Sequence, residues 1–335
     1  MELTAIKCPG CGSADFRIHD RYQTEHHGVR EIYECSVCLC RFSETKSTFP
    51  EGLRKPLSLI NDVINARTDG MGLNAAARVF NISKNTILNW EMKFYDLHET
   101  LFLYSLTHEF LKLVIEGDEL YTKVNKNVPP DQSAGWTIVL TDRASRFIWE
   151  LRCGKKDRRL FEEVVGTLGE IADRTGDISI FTDGERRYGN ILFEICSEAV
   201  RNGKRGRPKK TLKKGVKARV KNKGSQAHKR GPERPKYQSP WPEHPDTDQQ
   251  TDNRDIHANH VESFNSSLRR KCSAFRRKTN TYSKSSSGLQ RILNVCWVMH
   301  NFVRVHFTTE QIPAVAIGII NKGLSLVEIF KVKFV

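Results

Sequence analysis

Three acidic residues of this chain lie where they could share a metal ion. Asp118 follows an apolar run at 111–115, Asp183 follows another at 178–181, and Glu262 begins the stretch ESFNSSLRRK. In a helix, Glu262, Asn265 and Arg269 would share one face. Neighbouring carboxylates repel each other unless a divalent cation lies between them. Three carboxylates with Mg²⁺ or Mn²⁺ can activate water or a 3′-hydroxyl and stabilise the leaving oxygen of a phosphodiester.

Each acid also has a simpler explanation. Asp118 has the acidic neighbours Glu116 and Glu119, and Asp183 precedes Gly184 and could cap a turn. Aspartates at strand ends are common, so spacing alone leaves the triad a hypothesis.

The elements around these acids decide whether they can meet. Residues 110–183 read as three strands, an amphipathic helix and a fourth strand. A helical crossover after an antiparallel meander places the fourth strand parallel to the first. If the two strands are neighbours, Asp118 and Asp183 emerge at the same end of the sheet. A helix over 259–271 would then bring Glu262 to that end, and a last helix is expected near 287–305.

The first 40 residues contain two Cys-x-x-Cys pairs, CPGC and CSVC, separated by two stretches with strand-like alternation. Two such pairs can supply four thiolates to one tetrahedral Zn²⁺, which predicts a zinc ribbon. Its ligands would be Cys8, Cys11, Cys35 and Cys38. The spare candidates nearby are Cys40, His19, His26 and His27.

Three helical segments follow, at 57–66, 73–80 and 84–95, and Ser83 is the expected N-cap of the third. This layout predicts a helix-turn-helix, with Ile87, Leu88 and Trp90 packed beneath the third helix. A plain three-helix bundle is the alternative. The residues expected to reach DNA are Ser83, Lys84, Asn85, Thr86 and Asn89.

Charge is concentrated in one internal segment. The chain has 54 basic and 39 acidic residues, and 16 of the basic residues with a single acid lie at 201–236. Such an excess indicates nucleic acid first and an anionic membrane second. The membrane is disfavoured because no apolar run is long enough to span it and the N-terminus is no signal peptide. We therefore expect a basic insertion along DNA phosphates, with a solvated charge run as the alternative.

The stretch KRGRPKK at 204–210 is similar to an AT-hook, in which Arg205 and Arg207 would enter a narrow A·T minor groove. Basic linkers also produce this pattern by chance.

Four blocks together resemble the DDE transposases of the insertion-sequence-one family. They are GMGLNAAARVFNISKNTILNW, EGDELYTKV, FTDGERRYG and HVESFNSSLRRKCSAFRRKTNTYSKS. In the last block a glutamate is followed by Asn, Leu-Arg and an Arg-Lys-Thr run. The matching positions are Glu262, Asn265, Leu268, Arg269, Arg277, Lys278 and Thr279.

The resemblance implies an RNase H-like catalytic domain that uses Asp118, Asp183 and Glu262 with Mg²⁺ or Mn²⁺. It implies cleavage at the ends of an insertion sequence and strand transfer into target DNA. The partners would be double-stranded terminal inverted repeats and target DNA, bound by a homo-oligomer that pairs the ends, without a membrane. The expected location is cytoplasmic, on a prokaryotic nucleoid. The basic and amide side chains expected to hold DNA here are Asn265, Arg269, Arg270, Lys271, Arg277 and Lys278.

The predicted fold class is α+β multidomain. The predicted order is a zinc ribbon at 1–48, a helix-turn-helix at 50–100, a catalytic domain at 108–310 with a basic insertion at 201–256, and a tail at 311–335. The chain departs from the family prototype because one frame is continuous and the insertion separates Asp183 from Glu262. Glu194, Glu198 and Glu233 are therefore fallback acids. The rival functions are an inactive DNA-binding regulator derived from a transposase and an RNase H-like nuclease or resolvase.

Overall fold

The computed structural model describes residues 4–125, 128–201, 203, 206–222, 238–242, 244–245, 258–276 and 280–334. Within these residues, no helix has both the length and the apolar composition needed to cross a membrane. The architecture is a mixed α/β fold preceded by a small cysteine-containing sheet.

The N-terminal sheet has three antiparallel strands, β1 (Phe16–Thr24), β2 (Gly28–Cys35) and β3 (Arg41–Ser43), in the order β1-β2-β3. Its core is separate from the main core and very small: Cys8, Tyr33, Cys35 and Phe42. So little apolar surface contributes little hydrophobic stabilisation, which leaves a role for the cysteines.

Three helices follow the sheet: α1 (Leu57–Thr68), α2 (Leu73–Val79) and α3 (Lys84–Leu106). Ser83 caps α3 as predicted, because its side chain accepts a hydrogen bond from the Thr86 N–H at 3.1 Å. The helix continues well past the predicted end at 95. Buried Leu97 and Leu101 extend its apolar face.

A six-stranded sheet forms the centre of the larger unit. The elements are β4 (Leu113–Tyr121), β5 (Trp136–Asp142), β6 (Ile148–Gly154), α4 (Arg158–Ala172), β7 (Ile178–Thr182), α5 (Arg186–Cys196), β8 (Ser197–Val200), β9 (Lys209–Leu212), β10 (Val216–Asn222) and β11 (Gln238–Pro242). The strand order of the sheet is β11-β10-β7-β4-β5-β6, and a separate hairpin joins β8 to β9.

Two helices, α6 (Asn259–Lys271) and α7 (Ser286–Val298), cover this sheet, and a π-helical turn at Met299–Val303 ends α7. The sheet confirms the predicted crossover, since β4 and β7 are parallel neighbours whereas β5 and β6 are antiparallel.

Part of the basic segment belongs to the sheet. Val216–Asn222 forms β10, which pairs in parallel with β7, and Arg219 is only 2% exposed. The sheet therefore includes part of the predicted basic insertion at 201–256, which the interpretation of this segment as a stretch along DNA phosphates did not anticipate. The physical reason is its alternation: Val216, Ala218 and Val220 are buried, and they alternate with basic residues as a strand requires.

The residues predicted as a tail fold back onto the N-terminal helices. Two short helices, α8 (Pro313–Ala316) and α9 (Leu326–Ile329), precede Phe330, whose ring stacks on Phe49 with centroids 4.0 Å apart and meets Phe94 edge-on. Thr48 and Lys333 form a β-bridge. Residues near both ends of the chain therefore share one core.

A buried ion-pair network joins the three helices to the larger unit. Glu91 of α3, 1% exposed, accepts from Arg67 of α1 at 2.7 Å and from Arg291 of α7 at 3.2 Å. Removing one partner from such a network leaves a buried charge uncompensated. The network therefore fixes α1 and α3 against α7.

Candidate active site and metal centre

The strand register brings Asp118 and Asp183 together. Ile115 pairs with Ile180 and Glu116 with Phe181 across β4 and β7. Continuing this parallel register by two residues places Asp118 in β4 opposite Asp183, which directly follows β7. The two carboxylates therefore lie at one end of the sheet, as the sequence predicted.

The first turn of α6 is held at this same end by Glu116. Its Oε2 accepts hydrogen bonds from the backbone N–H groups of His260 and Val261, each at 3.0 Å. Its Oε1 lies 2.8 Å from His260 Nδ1 and 2.7 Å from Arg143 Nε. Glu116 is fully buried, and its negative charge lies at the positive end of the helix dipole.

The electrostatics of Glu116 fit a permanently charged anchor. Although burial opposes ionisation, hydrogen bonds from His260 and Val261 and the charge of Arg143 lower the pKa of Glu116. The anchor holds Glu262, which comes directly after Val261. Sequence reasoning treated Glu116 only as an acidic neighbour of Asp118. The available signal was an acid inside an apolar strand, where a carboxylate is expected to have partners.

Asp118 has the opposite electrostatic character. Burial, followed by repulsion from Asp183, Glu119 and Glu262, raises its pKa to about 6, although the Glu119 N–H partly offsets this. Asn265 of α6 donates its amide to Asp118 Oδ2 at 2.8 Å. Asp183 and Glu262 therefore both lie close enough to Asp118 to act on its carboxyl group electrostatically.

The acids flanking the predicted triad are neutralised by cations. Glu119 pairs with Lys156 at 2.8 Å, and Glu185 pairs with Arg187 at 2.7 Å. Asp118 forms no ion pair with any residue that the structure describes. This difference separates a candidate metal ligand from its structural neighbours.

The fallback acids do not lie at this edge in the described structure. Glu194 of α5 pairs with Arg158 at 2.6 Å on the surface, and Glu198 lies in the β8–β9 hairpin. Glu233 lies outside the described residues.

The triad fits a divalent cation chemically, but its carboxylates are not converged. Asn265 Oδ1, beside Asp118, is buried and accepts no hydrogen bond from the described residues. Such an orphan acceptor, next to mutually repelling carboxylates, suits a cation with bound water. In the part of the chain that the structure describes, only the four cysteines place three or more ligand atoms within 4.8 Å of one another.

The four predicted cysteines do form a cluster, which could hold a metal such as zinc. Sγ–Sγ distances are 3.4 Å between Cys8 and Cys38 and 3.5 Å between Cys11 and Cys35. Although burial raises it, hydrogen bonds from the backbone N–H groups of Gly10 and Cys11 lower the pKa of Cys8 to about 6. Despite a hydrogen bond from the Cys40 backbone, the thiols of Cys8 and Cys11 raise the pKa of Cys38 to about 12. A bound cation would offset this competition among neighbouring thiolates.

The spare candidates lie outside this cluster. Cys40 points its thiol to its neighbour's carbonyl, whereas His19 and His26 lie beside the carboxylates of Glu34 and Glu25. His27 is not among the clustered ligands either.

The predicted DNA-contacting side chains of α3 lie on its surface. Lys84, Asn85 and Asn89 are exposed, whereas Ile87 and Trp90 are buried beneath them. Ser83 and Thr86 bond to each other at 2.8 Å, so both are engaged in the helix cap. The α3 surface therefore presents three polar side chains to solvent.

The other predicted DNA contacts divide into three groups. The Asn265 amide donates a hydrogen bond to Asp118, and Arg269 is half-buried on the same face of α6. Arg207, Arg270 and Lys271 are exposed. Arg205, Arg277 and Lys278 lie outside the described residues.

Comparison with models of protein families and with curated proteins gave no match to this sequence.

Proposed function

We propose that this protein is a DDE transposase of the insertion-sequence-one type, which binds terminal inverted repeats, cleaves DNA at those ends and transfers the strands into target DNA. The four-cysteine cluster would be a zinc ribbon, α1–α3 a helix-turn-helix, and the mixed sheet with its helices an RNase H-like catalytic domain. Double-stranded DNA is the partner, and a homo-oligomer would pair the ends.

One observation carries this proposal. Parallel neighbouring strands and an anchored helix bring Asp118, Asp183 and Glu262 close enough for both other acids to raise the pKa of Asp118. A protein gains no stability from placing carboxylates that repel one another close together, so the arrangement favours a site built to bind a cation.

Each residue of the proposed site would have a separate role. Asp118, Asp183 and Glu262 would hold the divalent cation, which when bound activates water or a 3′-hydroxyl and stabilises charge at the phosphorus. Asn265 orients Asp118 through its amide. Arg269, one turn further along the same face of α6, would hold a DNA phosphate in register.

The exposed side chains of α3 support DNA reading. Lys84, Asn85 and Asn89 can reach base edges or phosphates from the start of a recognition helix. The charge of 201–236, outside the strand β10, would add affinity without sequence preference, because phosphate contacts position a protein and base contacts specify.

The test uses the zinc-loaded full chain and a plasmid that carries the inverted repeats flanking its gene. We expect Mg²⁺-dependent cleavage at the repeats and joining of 3′-ends to target DNA. Asp118→Asn, Asp183→Asn and Glu262→Gln should each leave no more than a few per cent of this cleavage, with repeat binding unchanged. The matched control is Glu185→Gln, an acid at the same edge with its own arginine, which should retain cleavage.

The outcomes separate the rivals. Cleavage without joined products would indicate a nuclease or resolvase, and repeat binding without any cleavage by the wild-type protein would indicate a regulator. A triad variant that cleaves like the wild type would remove that residue from the site.

A further inference from the structure

A second surface lies on the opposite side of α6 from the carboxylates. A cavity of about 490 Å³ opens there, between α6, the β5–β6 turn and the segment after α7. Ser263, Ser267 and Arg270 of α6 line it, whereas Glu262 and Asn265 face the sheet edge. One helix therefore separates two sites of different chemistry.

The cavity is strongly cationic. Arg146, Arg270, Lys271 and Arg304 line it, and none of its described lining residues is acidic. Arg304 is already paired, with Asp69 at 3.0 Å. Among the described residues, no carboxylate lies within ion-pair distance of Arg146, Arg270 or Lys271. Glu116 and Asp142 act on Arg146 only from beyond ion-pair distance, as Asp69 does on Lys271. The described wall of the cavity itself therefore supplies cations and no anion.

The backbone conformation of Arg146 and the lowered pKa values of Arg146 and Lys271 indicate that these cations are energetically unfavourable where they lie. Arg146 has φ of +65°, a left-handed conformation that is uncommon for a residue with a side chain. Burial lowers the pKa of Arg146, and burial and then Arg304 lower the pKa of Lys271. A bound anion would relieve this crowding.

The rim of the cavity is aromatic and exposed. Phe307 is 96% exposed and lines the opening beside Val305 and Phe264. Aromatic side chains next to a cationic groove are the combination that binds single-stranded nucleic acid, since bases stack on the rings and phosphates meet the cations. The volume suits a small ligand or a single unit of a chain.

We propose that this cavity binds a segment of single-stranded DNA, with a phosphate on Arg146, Arg270 and Lys271 and a base stacked on Phe307. The inference rests on the proposed function for its choice of nucleic acid. It adds a place for a separated strand next to the carboxylate edge, on the other face of the same helix.

The test measures binding of a short fluorescent oligo-dT strand to the zinc-loaded full chain without Mg²⁺, across a salt series. The double variant Arg270→Gln/Lys271→Gln should bind at least about tenfold more weakly at low salt. Its salt slope should fall by roughly 0.7, because one single-strand phosphate loses its cations. Phe307→Ala should weaken binding roughly 5- to 100-fold with an unchanged slope. The exposed ring makes Phe307→Ala safe for folding.

The matched control is Lys112→Gln/Lys331→Gln, which removes two exposed charges elsewhere and should bind the strand like the wild type. Unchanged binding in both cavity variants would overturn the inference. So would an equal loss of affinity for a duplex of the same length, or competition by inorganic pyrophosphate as effective as that by the strand. In those cases the cavity would be a duplex surface or a simple anion site.

Failure of this inference is distinguishable from failure of the proposed function. Wild-type cleavage of repeat DNA, with strand binding unaffected in the cavity variants, would overturn the inference alone. Strand binding through the cavity, without cleavage of any DNA in Mg²⁺, would overturn the proposed function alone.

Discussion

Asp118 is held in a position that is unfavourable to its own charge. It is desolvated and repelled by Asp183 and Glu262, and its supporting contacts come from an amide and a backbone N–H rather than a cation. Glu119, the next residue, has Lys156 as its partner. Two adjacent carboxylates therefore contribute to stability with opposite signs.

We expect Asp118→Asn to stabilise the fold in buffer without free divalent cations, by about 1–3 kcal/mol at pH 7.5. The folded-state pKa, about 6, lies above the usual aspartate value of 3.8, so stability from this group is lost as pH rises through about 6. The gain should shrink as the pH falls towards 4. The difference in unfolding free energy between this variant and the wild type is measured by urea unfolding of zinc-loaded, desalted protein at several pH values.

Glu119→Gln is the matched comparison and should lose stability under the same conditions, because Lys156 would lose the closer of its two carboxylate partners, Glu119 and Glu185. A loss of stability in Asp118→Asn at pH 7.5 would contradict the electrostatic account of the site.

At the scale of elements, α6 depends on β4 for its position. Glu116 accepts hydrogen bonds from two backbone N–H groups in the first turn of α6. One turn later, the Asn265 side chain donates a hydrogen bond to Asp118. The helix is thus tied to the strand on both sides of Glu262.

Glu116→Gln should lower the rate of Mg²⁺-dependent cleavage roughly 10- to 100-fold, because Glu262 loses its fixed approach to the sheet edge. It should also cost about 1–3 kcal/mol of stability. The control is Glu150→Gln, a buried acid of β6 whose partners are Arg152 and Thr167. Only Glu116→Gln should lose cleavage beyond any change in the amount of folded protein. Equal cleavage per folded molecule would reduce Glu116 to a purely structural role.

The cysteine-containing sheet should depend on its metal. Its core of four residues is too small for independent stability. We expect Cys35→Ser to lose the bound zinc and the hydrogen-exchange protection of β2, whereas β4 stays protected.

Cys40→Ser should retain both the metal and the protection, since its thiol lies outside the cluster. Metal analysis measures the bound zinc of each variant, and hydrogen exchange measures the protection of its β2 strand. One full equivalent of zinc in Cys35→Ser would exclude the four-cysteine site.

The local patterns were predictable from sequence because they depend on nearby residues. The Ser83 cap, the course of α6 and the parallel pairing of β4 and β7 follow from capping, periodicity and connection rules. The strand β10 was missed because its basic residues were interpreted as part of an insertion along DNA phosphates, although Val216, Ala218 and Val220 carry a strand period. The role of Glu116 depends on a helix far away in sequence, so no local pattern reveals it.

At the scale of the whole molecule, the three N-terminal helices and the sheet unit act as one body. Glu91 joins α1, α3 and α7, and Phe330 packs between Phe49 and Phe94. Any DNA read by the start of α3 would therefore lie at a fixed distance from the carboxylate edge.

Glu91→Ala should cost about 3–5 kcal/mol, because the buried Arg67 would keep the Met71 carbonyl but lose the carboxylate that balances its charge. Glu99→Ala, an exposed glutamate on the same helix, should change stability by no more than about 0.5 kcal/mol. Denaturant unfolding of both variants measures the difference. Similar losses in the two would show that the network does not hold the helices to the sheet.

The stacking of Phe330 on Phe49 also has a consequence for the order of events during biosynthesis. A ribosome adds about 5–20 residues per second, so on the order of 10 s or more separates Phe94 from Phe330. During that interval the first helices are outside the ribosome with an aromatic cleft still open. The core of these helices is completed only by residues that are translated near the end of this sequence. A nascent chain would therefore expose the α3 surface before that core has formed. Messenger truncation shortly before Phe330 would therefore damage the part of the protein that is made first.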